Sequence, residues 1–305
     1  MTSNNTLAIS NRPALLGFGL ALFAAIGFSG KAILVKLAYQ NGVDAVTLLA
    51  LRMAFSVPVF LIAAWWSDRQ AARITPRDWA AIVVLGLLGY YLSSLLDFLG
   101  LQFISAGLER LILFLYPTMV VVLTTLMTRR RLHRSELTAL ALSYAGILLV
   151  LLHDLNGMRK GLLLGALLVF GSTLTYSSYL IGAGRVIARI GAMRFTAYAM
   201  LVASAATLIQ FGATHPLLDF RQPSRVYELS LVMAVFSTVL PVFMLSAGIR
   251  LIGSAQTSLI GSIGPVSTIF MAWLFLGEVV TWMQVIGSSL VLTGVLSVTL
   301  RRSSR

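Results

Sequence analysis

Residues Leu95–Pro117 read LLDFLGLQFISAGLERLILFLYP. Two apolar runs meet at a short polar break, Ser105-Ala106-Gly107; Asp97 lies near the end of the first run and Glu109-Arg110 near the start of the second. Ionisable groups inside an apolar hairpin are costly, so they face a protein interior or a wet cavity and are functional candidates. Tyr116, seven residues after Glu109, shares its helix face, and Pro117 frees a backbone carbonyl one turn back. A polar pocket beside a broken helix is a common way to build a solute site in a membrane.

The rest of the chain supports a membrane reading. Of 305 residues, 58% are hydrophobic and 11% charged, and the mean hydropathy is +0.90, which excludes an ordinary soluble domain. There is no cysteine, so disulfides and thiolate metal sites are excluded. His133, His153 and His215 fall in loops or at span ends, which leaves no deep imidazole for catalysis or metal binding. The net charge of +13 comes from bases in short connectors, a topology signal rather than a nucleic-acid patch. The first run, from about Ala14, is too long for the core of a cleaved leader.

Ten runs are long enough to cross roughly 30 Å of hydrocarbon. They lie at 14–39, 43–66, 79–103, 106–128, 133–152, 161–183, 193–212, 227–249, 254–276 and 281–300. The longest connector, Ala213 to Val226, reads as a plain surface loop. Alternate connectors and tails carry fifteen Lys and Arg on one side and four on the other, so both termini are expected in the cytoplasm.

The two halves repeat. Pro117 and Pro265 are 148 residues apart, as are Gly146 and Gly294, while Ser105-Ala106 and Ser254-Ala255 are 149 apart. The pattern predicts one residue gained or lost between Ser-Ala and Pro. Five spans per half is odd, so the second half enters from the opposite side, and an inverted repeat signals alternating access. The expected organisation is a tail at 1–13, repeats at 14–152 and 161–300, and a tail at 301–305. Ala139, Ser143 and Gly146, like Gly261 and Gly264 or Gly287 and Gly294, suit close helix packing.

These features resemble the drug/metabolite transporter superfamily, in its EamA-type ten-helix members. The second unit carries the clearer pattern: Ser254-Ala255, Pro265, Leu276-Gly277-Glu278, Gly287 and Gly294, opening with Gly161, Gly165 and Thr175-Tyr176-Ser177. In the first unit, Arg52 matches an arginine usual early in the second helix, and Ser105-Ala106 to Pro117 fits the fourth. Thr128-Arg129-Arg130 departs from the pattern, where Leu-Gly-Glu is expected. The resemblance implies ten transmembrane helices in two inverted five-helix repeats, and export or exchange of a small metabolite across a bacterial inner membrane. It fixes no substrate.

Counting from span ends places Lys31, Arg52 and Asp97 roughly 9–14 Å deep, with Lys36, Glu109 and Arg110 within about 6 Å of the surface. Asp97 is expected to pair with Lys31 or Arg52, with Glu109 and Arg110 at the rim. Aligned second-half positions are uncharged: Tyr179 for Lys31, Ser246 for Asp97, Ser258 for Glu109 and Leu259 for Arg110. Four bases against two acids favour an anionic or zwitterionic solute, such as an amino acid. Lys36 and Arg110 have a second reading, as bases that snorkel to the surface. Tyr90, Tyr91, Tyr116, Tyr176, Tyr179 and Trp273 are candidates to line the same cavity. Trp65-Trp66 reads as an interface belt. Pro117 and Pro265 are the expected gating points.

Two rivals carry less support. Gly27-Phe28-Ser29-Gly30 matches the G-x-S-G of intramembrane serine proteases, but no histidine lies deep enough to serve as its base, and Lys31 follows on the same helix. A channel or receptor would show charge rings of higher symmetry. No catalytic residue, metal or cofactor is expected. The expected partners are a small-molecule substrate and the lipid bilayer, without nucleic acid, for a monomer or homodimer.

Overall fold

The computed structural model describes residues 11–69, 73–155 and 160–303. Residues 1–10 and 304–305, which hold most of the expected tails, and Arg159 lie outside them. Among the described residues ten long helices follow, nine of them long and apolar enough to cross a membrane and the last with a shorter apolar stretch, Trp282–Ser297: α1 (Asn11–Tyr39), α2 (Ala45–Asp68), α3 (Pro76–Leu101), α4 (Ala106–Thr128), α5 (Arg134–Leu155), α6 (Leu162–Ile190), α7 (Ala192–Thr214), α8 (Ser224–Gly253), α9 (Leu259–Leu276) and α10 (Trp282–Ser303). Helices suit this environment because each satisfies its own backbone in hydrocarbon. Large apolar side chains cover the outside, from Leu15 (74% exposed) to Ile209 (72%), as they do where lipid is the solvent. We call the end where α1 starts the N face and the other the far face.

Caps set several starts. Asp44 accepts from Val46 N–H (2.8 Å) and Thr47 N–H (3.0 Å) to begin α2. Burial opposes its charge, but these bonds and the nearby His215 hold its carboxyl below the usual value. Ser105 begins α4 by accepting from Leu108 N–H. Arg69 lies over the Trp65 ring at the N-face end of α2, where both tryptophans are mostly exposed.

The two five-helix repeats are inverted, and their contacts exchange under a shift of 148 residues. Helix α1 packs along α8 as α6 packs along α3; α1 meets α9 as α6 meets α4; α2 pairs with α7 and α5 with α10. A Cβ on Gly100 would lie 2.9 Å from Gly165 O, and one on Gly248 3.4 Å from Gly17 O. In the α5–α10 pair, a Cβ on Gly146 would lie 2.6 Å from Gly287 O, as one on Gly294 would from Ala139 O. Both α3 and α8 carry a π-helical turn, at Leu87–Leu92 and Val235–Val239, starting 148 residues apart.

This shift corrects the sequence alignment. Ser105 (ψ 155°) ends one chain reversal and Gly253 (φ 83°, ψ 161°) ends the other, again 148 apart. No residue is gained or lost; the Ser-Ala match was off by one. Asp97 therefore corresponds to Leu245, not Ser246, Glu109 to Thr257, and Arg110 to Ser258. The 213–226 connector is also more ordered than a plain loop. A 3₁₀ turn at Leu217–Phe220 stacks Phe220 on Phe211 (4.1 Å), and Tyr227 O–H bonds Phe220 O, because apolar Phe220 finds cover at the end of α7. Helix α6 continues to Ile190, past the expected 183, before Gly191 (φ 88°) turns the chain.

Candidate functional site

Three helices bring one ammonium and two carboxylates together in the far half. Lys31 of α1 bonds Asp97 Oδ2 of α3, and its Nζ is 3.4 Å from Glu109 Oε1 of α4. Asp97 is 2% exposed and Glu109 fully buried. Glu109 is thus at the heart of the cluster rather than its rim, since one turn into α4 its face turns toward α1 instead of water. Neither Glu109 oxygen, nor Asp97 Oδ1, has a hydrogen-bond partner.

Arg52 does not make the alternative pair with Asp97. It is 4% exposed, donates from Nη2 to Ser94 Oγ (3.1 Å), and lies 4.8 Å from the Phe98 ring, so it ties α2 to α3. Arg110 points elsewhere, about 100° around α4 from Glu109. It crosses to α9 against Gly264, where a Cβ would lie 2.7 Å from its Nη2. Its Nε is buried without a hydrogen-bond partner, and no acidic side chain pairs with it among the described residues. Arg110 is therefore an inward cation rather than a rim or snorkelling one.

Four of the six candidate aromatics form one group beside it. Tyr90 and Tyr179 share a hydrogen bond (2.8 Å), Tyr176 stacks on Tyr179 (ring centres 5.6 Å), and Tyr116 meets Tyr176 edge-on (5.8 Å). Gly89, in the π-helical turn of α3, lets the Tyr179 ring lie against the backbone, with Phe195 of α7 behind it. The structure separates the other two. Tyr91, one residue round the helix, donates to Gln210 on α7 (3.0 Å). Trp273 is 54% exposed, packs on Phe270, and lines a far-face recess of about 410 Å³ with Gly277, Glu278, Val279 and Val280. Alternation around the helix sets both outcomes, which residue type alone does not reveal.

Both α4 and α9 are interrupted just before their prolines, by tight turns where Leu115 N–H bonds Ile112 O and Ser262 N–H bonds Leu259 O. The G-x-S-G stretch is a helix contact: Ser29 O–H bonds Ala25 O and Gly264 O, and Gly27 lies against Phe236 O.

Glu278 is a site residue that its motif did not explain. From the α9–α10 turn it accepts from Ala106 N–H (3.0 Å) and Gly107 N–H (3.5 Å), capping the positive end of α4 across the repeats. Its counterpart, Arg130, cannot do this. Arg129 (φ 51°) keeps the left-handed turn of Gly277 (φ 66°), and Arg130 turns back to Glu136 of its own repeat (2.7 Å). The two ends also differ. Helix α1 packs on the far halves of α3 and α4, whereas, among the described residues, α6 makes no comparable contact with α8 or α9. Among the described residues, α1 is therefore the helix that bridges to the opposite pair at its own end, and α6 has no matching bridge.

The EamA-like transporter family matches at residues 15–152 and 163–300. An uncharacterized transporter of Bacillus subtilis, YcbK, is 32% identical over 282 residues, covering 90% of each chain. An S-adenosylmethionine/S-adenosylhomocysteine transporter of Chlamydia trachomatis is 26% identical over 221 residues, covering 69% of this chain and 67% of that one. A crystal structure with 19% identity matches in fold, with a TM-score of 0.64 over 96% of this chain and 99% of its own. This multi-pass membrane chain, a transporter and not an enzyme, belongs to the EamA-like transporter family.

Proposed function

We propose that the protein is a secondary transporter that exports or exchanges a small anionic or zwitterionic metabolite by alternating access, with Arg110 holding the substrate's anionic group. The observation that carries this reading is the half-buried Arg110, which has no acidic partner and stands where α4 and α9 are interrupted. Lys31 is occupied by two acids; Arg52 also keeps a buried, unpartnered Nε, but it donates to Ser94 and faces Phe98 at the α2–α3 contact, away from the interrupted helices. Tyr116, Tyr176, Tyr179 and Tyr90 supply hydroxyls and ring faces for the rest of the solute. The repeats at 14–152 and 161–300 are the moving units, with Pro117 and Pro265 at the pivots. The excess of bases on the N face favours cytoplasmic termini in a bacterial inner membrane. Every residue involved lies in one chain, so monomer and homodimer serve equally.

The test is flux in proteoliposomes, with labelled S-adenosylmethionine, amino acids and simple carboxylates as probes. A solute should move, and Arg110→Lys should raise its KM several-fold by removing the planar fork. Transport of a carboxylate solute with unchanged KM in Arg110→Lys overturns the assignment of Arg110.

A further inference from the structure

We infer that Asp97 and Glu109 form a proton-binding site whose occupancy closes the far end of the protein. The inference rests on the alternating-access reading but is tested apart from it. Two buried carboxylates share the single ammonium of Lys31, whose side chain is 17% exposed. Three of their four oxygens are buried without a hydrogen-bond partner. Two like charges so placed do not both persist in a buried site, and one proton on the pair removes the surplus.

The neighbours direct their own bonds elsewhere. From α1 come Lys31 and Tyr39, whose hydroxyl is spent on Phe98 O. Arg52 of α2 is held by Ser94 and Phe98. Arg110 of α4 points to Gly264 of α9, and α6 presents Tyr176 beside Tyr116. Glu278, from the α9–α10 turn, is bound to the α4 amides, and α10 adds only the neutral Gln284. Apolar Val150 is the buried α5 residue in the cluster that packs on α4. Among the described residues no cation besides Lys31 forms an ion pair with either carboxylate, while the charges of Arg52 and Arg110 reach Asp97 and Glu109 through space.

The step is simple in balance: a carboxylate takes a proton from far-side water and becomes a carboxylic acid, with no other bond made or broken. When α1 stands apart from α3 and α4, all three groups are wet and both acids ionise. Closing buries them and requires the proton. The closed population therefore rises as pH falls, by up to about tenfold per pH unit across the titration.

The chain has no cysteine, so spin labels can be placed at will. Gln40 and Gln102, both exposed near the far face, make one pair. Infrared difference spectra between acidic and alkaline buffer should show a titrating carboxylic-acid band that is lost in both Glu109→Gln and Asp97→Asn. The Gln40–Gln102 distance distribution should shift toward the short population in acid. A missing band in the parent, a band unchanged in both variants, or a distance distribution indifferent to pH overturns the inference. Both signals present with no flux of any probe retain the proton site and instead remove the transporter reading.

Discussion

Ser29 donates its hydroxyl to the carbonyl of Gly264, 3.0 Å away, and Ser177, 148 residues later, does the same to Tyr116, 3.3 Å away. Each acceptor immediately precedes a proline. The first helix of each repeat is therefore pinned to the broken helix of the other. Ser29→Ala and Ser177→Ala are each expected to lower stability by about 0.6 kcal/mol, the usual worth of such bonds in membranes. The effects should add, because the two bonds share no partner. Denaturant unfolding in mixed micelles checks both values and their sum.

Pro117 and Pro265 follow the two interruptions directly. Each lacks an N–H and crowds the carbonyl one turn back, so alanine removes the reason for the break. Pro117→Ala and Pro265→Ala should fold normally and slow transport, with most of the loss in kcat. Unchanged rates in both reconstituted variants would make the prolines packing features only.

The repeat was legible in the sequence to within one residue, because Pro117/Pro265 and Gly146/Gly294 keep their spacing wherever helix contact needs a small residue or a break. The error came from Ser105-Ala106 against Ser254-Ala255. A reversal needs an extended residue before the helix, and serine and glycine meet that need differently. In the site, the pairing of Lys31 with Asp97 was readable. The partners of Arg52, Tyr91 and Trp273 were not, because rotation about the helix axis decides which neighbour each side chain meets. The cap made by Glu278 spans 172 residues and leaves no local signal.

The glycine contacts test the same symmetry unequally. A Cβ on Gly100 meets Val169 Cγ2 at 2.5 Å and Gly165 O at 2.9 Å, whereas one on Gly248 meets nothing closer than 3.4 Å. Gly100→Ala is expected to cost about 1–3 kcal/mol through overpacking. Gly248→Ala should stay within about 0.5 kcal/mol of the parent. Thermal unfolding of the two variants side by side reads the difference directly.

Arg52 and Arg110 are separable by their kinetics. Arg52 is spent on Ser94 and Phe98, so Arg52→Lys should lose stability through the stacked contact while leaving KM nearly unchanged. A several-fold rise in KM for Arg52→Lys, with stability intact, would assign the anion to Arg52 instead.

Under the alternating access proposed above, exchanging the conformations of the two repeats would give the second state of the cycle. Lys31, Asp97 and Glu109, which join α1, α3 and α4 in the far half, map onto Tyr179, Leu245 and Thr257. The N-face end is thus expected to close by Tyr179 leaving Tyr90 and packing on Leu245 and Thr257, an aromatic gate opposite an ionic one. Glu278 ties the α9–α10 turn to the start of α4 at the far end, and Arg130 gives the N face no matching tie. Glu278→Ala should therefore raise the far-open population. Arg185 and Gln256, both exposed near the N face, make a second label pair beside Gln40 and Gln102. In Glu278→Ala the Gln40–Gln102 distance should lengthen as the Arg185–Gln256 distance shortens, and Tyr179→Ala should weaken the second change but not the first. If both distances lengthen together, the cap only stabilises the fold. If neither moves, Glu278 has no part in gating and the far end opens by another route.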